Sequence, residues 1–479
     1  MGVKKVCFLL MLVLPVFSFA QEVTRSQLVE DFNQFVSVVN NFYRAKPLVE
    51  ERTHSNISEQ LASLKMTCDT IQTKEQFANL IRMALNILND KHAALANGSM
   101  VKMYLSKFPA VAVFGGVSIS DTLCADYFFN LSTDLFPKMK TGIRSKYIDG
   151  HYYNARAFSY KGIFVGVGEE ITAINHLPVK AYVEQHKLEL FNLAWDETNS
   201  QWYSELFWIN KSVIESESFE LTFGSKSISL NCNQRVDFTQ EPKQFVATPL
   251  VTSFDSILYV RMPIMYNGEW FAKQVSSSYK NDISKIIIDI RGNRGGEDSA
   301  WREVIGSIIT EPIAIKTHIS MNDNEAVKNI LPLYNLDVPQ VIVTDTIFPS
   351  DSSINYKGDI FILQDADTYS AASSLASVAF QYKHIVTVGY PSPYIGGRGL
   401  TPLIFKLHHS GIVFRMPFTV DLSGVPANPY MNKVEVELQQ NINEYFERTT
   451  IDPYSIEYLT NSDPLIRFVK NAAINAGRL

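Results

Sequence analysis

Apolar residues near the N-terminus recur at helical spacing: Leu28, Phe32, Phe35, Val36 and Val39, then Phe77, Leu80, Ile81, Ala84, Leu85 and Leu88. A period of three to four residues marks helices that bury one face. Residues 21–104 are therefore predicted to form a helical segment, whose second helix ends where Asn89-Asp90-Lys91-His92 supplies turn-forming residues. From Phe108 to Phe238 short apolar runs (PAVAVFGGVSI, KGIFVGV, FELTFGSKSISLN) alternate with polar turns. That texture predicts a strand-rich module over 105–238. Residues 239–256 carry little periodicity and read as a linker. Beyond it, SILYVRM, KIIIDI, DIFILQD and HIVTVGY are continuous apolar runs, as expected of strands buried on both faces. Helices predicted at Trp301–Ile309 and Ser370–Gln381 lie between them, so residues 257–479 are expected to form a layered α/β domain within a mixed α/β chain.

One apolar run has a different meaning. Residues 1–20 combine Lys4 and Lys5, an apolar stretch from Val6 to Phe17, and Ser18 and Ala20 at the −3 and −1 positions of a cleavage site. This layout predicts a secretory signal peptide and a mature chain starting at Gln21, exported to a periplasmic or extracellular space, with no stable membrane span. The mature chain would carry 41 basic and 49 acidic residues without a basic stripe, which argues against a nucleic-acid partner. Cys68, Cys124 and Cys232 remain, an odd number without metal-ligand spacing. At most one disulfide is expected, and no metal or cofactor.

Two segments carry chemistry. In Ile286-Ile-Ile-Asp-Ile-Arg-Gly-Asn-Arg-Gly-Gly-Glu297 a buried strand ends in a loop with three glycines. Glycines permit positive φ and close backbone approach, so such a loop can turn N–H groups toward an oxyanion. It lacks the Lys-Ser/Thr pair of a phosphate loop and the GxGxxG spacing of a dinucleotide site. In Asp359-Ile-Phe-Ile-Leu-Gln-Asp-Ala-Asp-Thr-Tyr-Ser370-Ala-Ala-Ser-Ser-Leu375 a strand runs through a polar turn into a helix that Ser370 opens. A serine there is either an N-cap or an exposed nucleophile. The preceding strand and the small residues that follow favour the nucleophile.

Together these segments resemble the C-terminal processing, or tail-specific, serine peptidase family. That family carries a strand followed by LRGNxGG and a later strand followed by a (T/S)-(F/Y/A)-S-A-(A/S) turn. The stretch Gly168-Glu-Glu-Ile-Thr-Ala-Ile-Asn-His-Leu-Pro-Val179, followed by a predicted helix at Ala181–Asn192, resembles the end of a PDZ-like module, with His176 where a turn glycine is usual. The resemblance implies an N-terminal helical segment, a PDZ-like module and a ClpP/crotonase-like β/α core. It also implies Ser370 as nucleophile, and N–H groups of Gly295 or Gly296 and Ala371 as the oxyanion hole.

Many members of the family pair the serine with a lysine one strand later. Here Arg398 stands in that context, and arginine does not surrender its proton. Lys383 and Lys406 lack the context. A second branch, similar to tricorn protease and the retinoid-binding-protein-like members, uses a histidine ahead of the PDZ-like module. His92 fits that position, and a neutral imidazole accepts a proton near pH 7. The same pattern implies Asp421 as the acid that orients it, with Glu435 as an alternative. His408 and His409 are expected on a strand, facing opposite ways. The expected function is an exported serine endopeptidase acting on peptides or unfolded protein tails. The alternative is a catalytically inactive peptide-binding protein on the same scaffold. An acyl-CoA enzyme on the shared core fits poorly with export.

Overall fold

The computed structural model describes residues 23–134, 141–190, 193–204, 218–231, 234–239, 245–395, 399–424 and 427–472. The signal segment and Gln21, Cys232 and Arg398 lie outside the described residues.

Two long helices of the helical segment each carry a reciprocal cap. Thr24 accepts from the Gln27 N–H ahead of the helix Arg25–Phe42, and Thr73 does the same with Gln76 ahead of Lys74–Asn86. Their apolar stripes bury Phe32, Phe35, Val39, Phe77 and Ile81. This core is not closed by helices alone. It is completed by a hairpin of the C-terminal region, Leu403–Lys406 with Val413–Met416, whose Phe405 and Phe414 rings lie 5.4 Å from Phe42 and 5.2 Å from Phe35. Helices continue further than the pattern predicts. Pro109–Phe114 and Thr122–Asp134 are both helical, although PAVAVFGGVSI reads as a strand. A short apolar run does not discriminate between the two states, and Pro109 at the first helical position is pre-set for a helix.

The strand-rich region opens after these helices. Its four-stranded sheet orders Lys226–Asn231, Ser218–Phe223, Ile171–Ile174 and Leu177–Pro178, and Val179–His186 packs against it. The predicted helix at Ala181–Asn192 is thus shorter and starts earlier. Asn175 and His176 both take positive φ, which closes the tight hairpin without glycine.

The central sheet has six strands in the order Leu250–Phe254, Ile257–Arg261, Lys285–Asp289, Asp359–Gln364, Ile385–Gly389 and Val436–Glu437. The first is antiparallel and the rest are parallel. The expected linker therefore ends in an edge strand. Both faces are covered. Leu258, Val260, Ile286, Ile288, Ile360 and Ile362 face the helices Gly268–Ser278, Asp298–Gly306 and Ala371–Ala379. The alternate residues Ile257, Tyr259, Ile287, Phe361 and Leu363 pack with Leu459, Leu465, Ile466 and Val469 near the C-terminus. That two-residue alternation between two apolar faces explains the unbroken apolar runs. His408 and His409 occupy a turn rather than a strand, and the His409 ring lies 2.9 Å from Glu30. Cys68 and Cys124 are free thiols.

Candidate active site

The glycine loop and the serine turn emerge from adjacent parallel strands, at their C-terminal ends. Hydrogen bonds stitch them together. The Gly292 N–H donates to Asp365 at 2.9 Å, the Thr368 hydroxyl to the Ile290 carbonyl at 3.2 Å, and the Tyr369 N–H to the Asn293 carbonyl at 3.0 Å. Beneath the loop, Arg291 is buried between Asp289 at 2.6 Å and Asp463 at 2.7 Å. Burial alone would lower the Arg291 pKa; the two carboxylates outweigh it and raise the pKa well above the usual value. Asp463 also caps the helix Pro464–Asn471, so the C-terminus is tied to the loop.

Ser370 sits at φ 58 and ψ −127, a region that residues with a Cβ rarely occupy. Holding it there costs about 1–3 kcal/mol, supplied by the surrounding hydrogen bonds. Its hydroxyl does not cap the helix it opens. Instead Oγ lies 3.1 Å from Nε2 of His92, its hydrogen-bond partner among the described residues.

The backbone around it is shaped for a close approach. Gly295 has φ 102, and a Cβ there would lie 2.6 Å from the Ser370 Cβ. Gly296 has φ 144, and a Cβ there would lie 2.1 Å from the Met265 carbonyl oxygen. The Gly295 N–H is occupied, donating to Asn293 Oδ1 at 2.8 Å, which narrows the expected pair of glycines to one. Met265 bridges to Gly296 by bonding the Gly295 carbonyl and the Glu297 N–H, which leaves the Gly296 N–H itself unused by that bridge. The N–H groups of Gly296 and Ala371 have no acceptor among the described residues.

His92 arrives from the helical segment, 278 positions away. Asn89, at φ 45, turns the chain out of its helix, and the Tyr43 hydroxyl holds the Leu88 carbonyl at 2.8 Å. Two residues further on, Ala94 and Leu95 pair with Arg415 and Phe414 of the C-terminal hairpin, and Arg415 holds the Lys91 carbonyl at 3.2 Å. The shared aromatic core thus fixes a turn of one segment over Ser370 of another.

The structure does not bring Asp421 to the histidine. Asp421 lies on an edge strand, pairing through its backbone with Ile319, and its carboxylate accepts from the N–H and hydroxyl of Ser423. Burial pushes its pKa up. Glu435 is also engaged elsewhere, exchanging hydrogen bonds with the backbone N–H and hydroxyl of Thr387. The groups at Nδ1 of His92 are the Tyr369 hydroxyl at 2.9 Å and Asp90 at 3.5 Å. Both were missed in the sequence, although Asp90 stands two residues before His92 and Tyr369 directly before Ser370. Burial would raise the Asp90 pKa; His92 and the Tyr369 hydroxyl hold it below the usual carboxylate value. Lys406 pairs with Asp121 at 3.1 Å, and the Lys91 amine lies 3.7 Å from Asp367 and 4.1 Å from the Tyr394 ring centre. A cavity of about 1520 Å³ opens beside the site, reaching Lys91 and Arg294, the neighbours of His92 and Gly295, and extending to Tyr147 and Trp195 of the strand-rich region.

Comparison with known proteins points to a family. Residues 256–420 match the model of peptidase family S41. That match covers the glycine loop and Ser370, and it supports the resemblance to the C-terminal processing serine peptidases in this part of the chain. No curated protein matches the sequence. Among solved structures, mature CPAF is similar over 92% of this chain and 99% of its own, at 13% identity and a TM-score of 0.54. Its complex with lactacystin aligns over 93% and 98%, at the same identity and score. The photosystem II D1 C-terminal processing protease aligns over 90% and 98%, at 12% identity and a TM-score of 0.37. At these identities the CPAF likeness speaks to fold.

Proposed function

We propose that the chain is an exported endopeptidase that cuts peptides or unfolded protein tails through an acyl-enzyme on Ser370. The observation that carries this reading is the 3.1 Å contact between Ser370 Oγ and His92 Nε2, beside the unengaged N–H groups of Gly296 and Ala371. In this scheme Nε2 takes the hydroxyl proton as Oγ bonds to the scissile carbonyl carbon. The carbonyl oxygen gains the negative charge and is held by the two N–H groups. His92 then returns the proton to the departing amine, and a water activated by His92 releases the acyl group. The chain to be cut would lie in the adjoining cavity, with the strand-rich region acting as a PDZ-like module that adds it as a strand. Export is supported by the pattern of residues 1–20.

The test is cleavage of an unfolded protein by the mature chain, with Ser370→Ala as control. Turnover that vanishes in the variant supports the peptidase. Binding without turnover in either form would favour the inactive binding protein. Intact residues 1–20 in protein recovered from its native source would contradict export.

A further inference from the structure

We propose that Tyr369 and Asp90 together do the work of the third triad member, with the tyrosine hydroxyl interposed between carboxylate and imidazole as a positioning residue for His92. This rests on the reading of Ser370 and His92 given above, and assigns the protonation state that reading requires.

The argument is one of donors and acceptors. An ionised carboxylate only accepts hydrogen bonds. Asp90 Oδ1 lies 2.7 Å from the Tyr369 hydroxyl, so the tyrosine proton points at Asp90. The tyrosine oxygen is then left as an acceptor, and it lies 2.9 Å from Nδ1 of His92. Nδ1 must therefore carry the imidazole proton, and Nε2 presents a lone pair to the Ser370 hydroxyl. Asp90 is held in place by accepting the His92 backbone N–H at 2.8 Å. The Tyr369 and His92 rings lie 4.6 Å apart and tilted by 33°, so the contact is packed as well as hydrogen-bonded. Tyr369, Asp90 and His92 are all buried.

The strained turn explains why a tyrosine can serve here. Tyr369 directly precedes Ser370, and the elbow sends the two side chains to opposite nitrogens of one ring. The protons balance simply. When Oγ bonds to carbon, its proton passes to Nε2, and the imidazolium charge faces the Asp90 carboxylate 3.5 Å from Nδ1. The tyrosine keeps its proton throughout: burial, then Asp90, raise its pKa well above the usual value. Among the described residues, other charged or titratable groups nearby include Tyr43, 3.5 Å from Asp90, Tyr394, whose ring centre lies 6.1 Å from that of Tyr369, and Lys91, whose amine lies 5.9 Å from the Tyr369 ring centre.

The test is nitrogen-15 NMR of the imidazoles in the resting mature chain, with the His92 signal assigned by its loss in His92→Gln. Neutral His92 should carry its proton on Nδ1. Tyr369→Phe should mix the two tautomers and shift the acid limb of kcat/KM. It should lower kcat about 10- to 100-fold, the worth of a hydrogen bond to a charged partner, with KM unchanged. Asp90→Asn lets an amide donate where a carboxylate accepted; it should favour the Nε2–H tautomer and lower kcat about 10⁴-fold. A wild-type Nε2–H tautomer would overturn the proposal, as would a tautomer and acid limb unmoved in both variants. If the chain shows no turnover, the peptidase reading fails, and the tautomers still decide this one.

Discussion

Ser370 and His92 are held by different physics. The serine half hangs on backbone: two strand ends stitched by main-chain hydrogen bonds, glycines at φ 102 and 144, a serine at φ 58, and a buried Asp289–Arg291–Asp463 network beneath. The histidine half hangs on side chains. One turn is fixed by Tyr43 and by pairing with the hairpin, and the imidazole is oriented by Tyr369 and Asp90. Backbone constraints leave little freedom of residue type, whereas a side-chain relay can be assembled from any element that reaches. In the proposed mechanism the two halves operate as one unit, and their separate supports can be broken one at a time.

The largest effects should be equal on both sides. Ser370→Ala and His92→Ala should each lower kcat by about 10⁶-fold, and the double variant should be no worse, because members of such a unit do not contribute additively. Peptide turnover measures this; a histidine variant retaining wild-type rate would separate the halves and end the account. Below that comes the charge network. Asp463→Ala leaves buried Arg291 with one carboxylate and should cost about 3–5 kcal/mol by thermal or denaturant unfolding. Gly296→Ala forces a Cβ to 2.1 Å from the Met265 carbonyl oxygen and displaces an oxyanion donor, so kcat should fall about 10²–10³-fold. The smallest effect tests the other support. Tyr43→Phe removes the hydroxyl from the Leu88 carbonyl and should cost only about 1 kcal/mol of stability. If it destabilised as much as Asp463→Ala, the contrast between the halves would be wrong.

The same contrast explains what the sequence revealed. The loop Arg291–Gly296 and the turn before Ser370 were legible because close backbone approach demands glycine and a small-residue helix start at fixed offsets. The central strands were legible because burial on both faces forces continuous apolar runs. His92 was suggested by the resemblance to the histidine-using branch of the family, with the lack of a usable lysine after Ser370 as support. Its acid was not placed, because Asp421 was assigned from position in a motif while the orienting groups are set by three-dimensional reach. Asp90 stands two residues before His92, and Tyr369 one before Ser370. A carboxylate that can bond the backbone two residues on was the available signal. Pro109–Phe114 was misread because six apolar residues carry no decisive period. The dependence of the N-terminal helices on Phe405 and Phe414 was invisible, since no local pattern encodes a core shared across more than 300 positions.

The most direct measurement is the rate and site of modification by a serine-directed fluorophosphonate, read by peptide mass spectrometry in the wild type and in His92→Ala. The account predicts a single adduct on Ser370 that forms rapidly in the wild type and is nearly abolished without the imidazole. An adduct on Ser370 forming at the same rate in both proteins, or an adduct on another serine while Ser370 stays free, would contradict it.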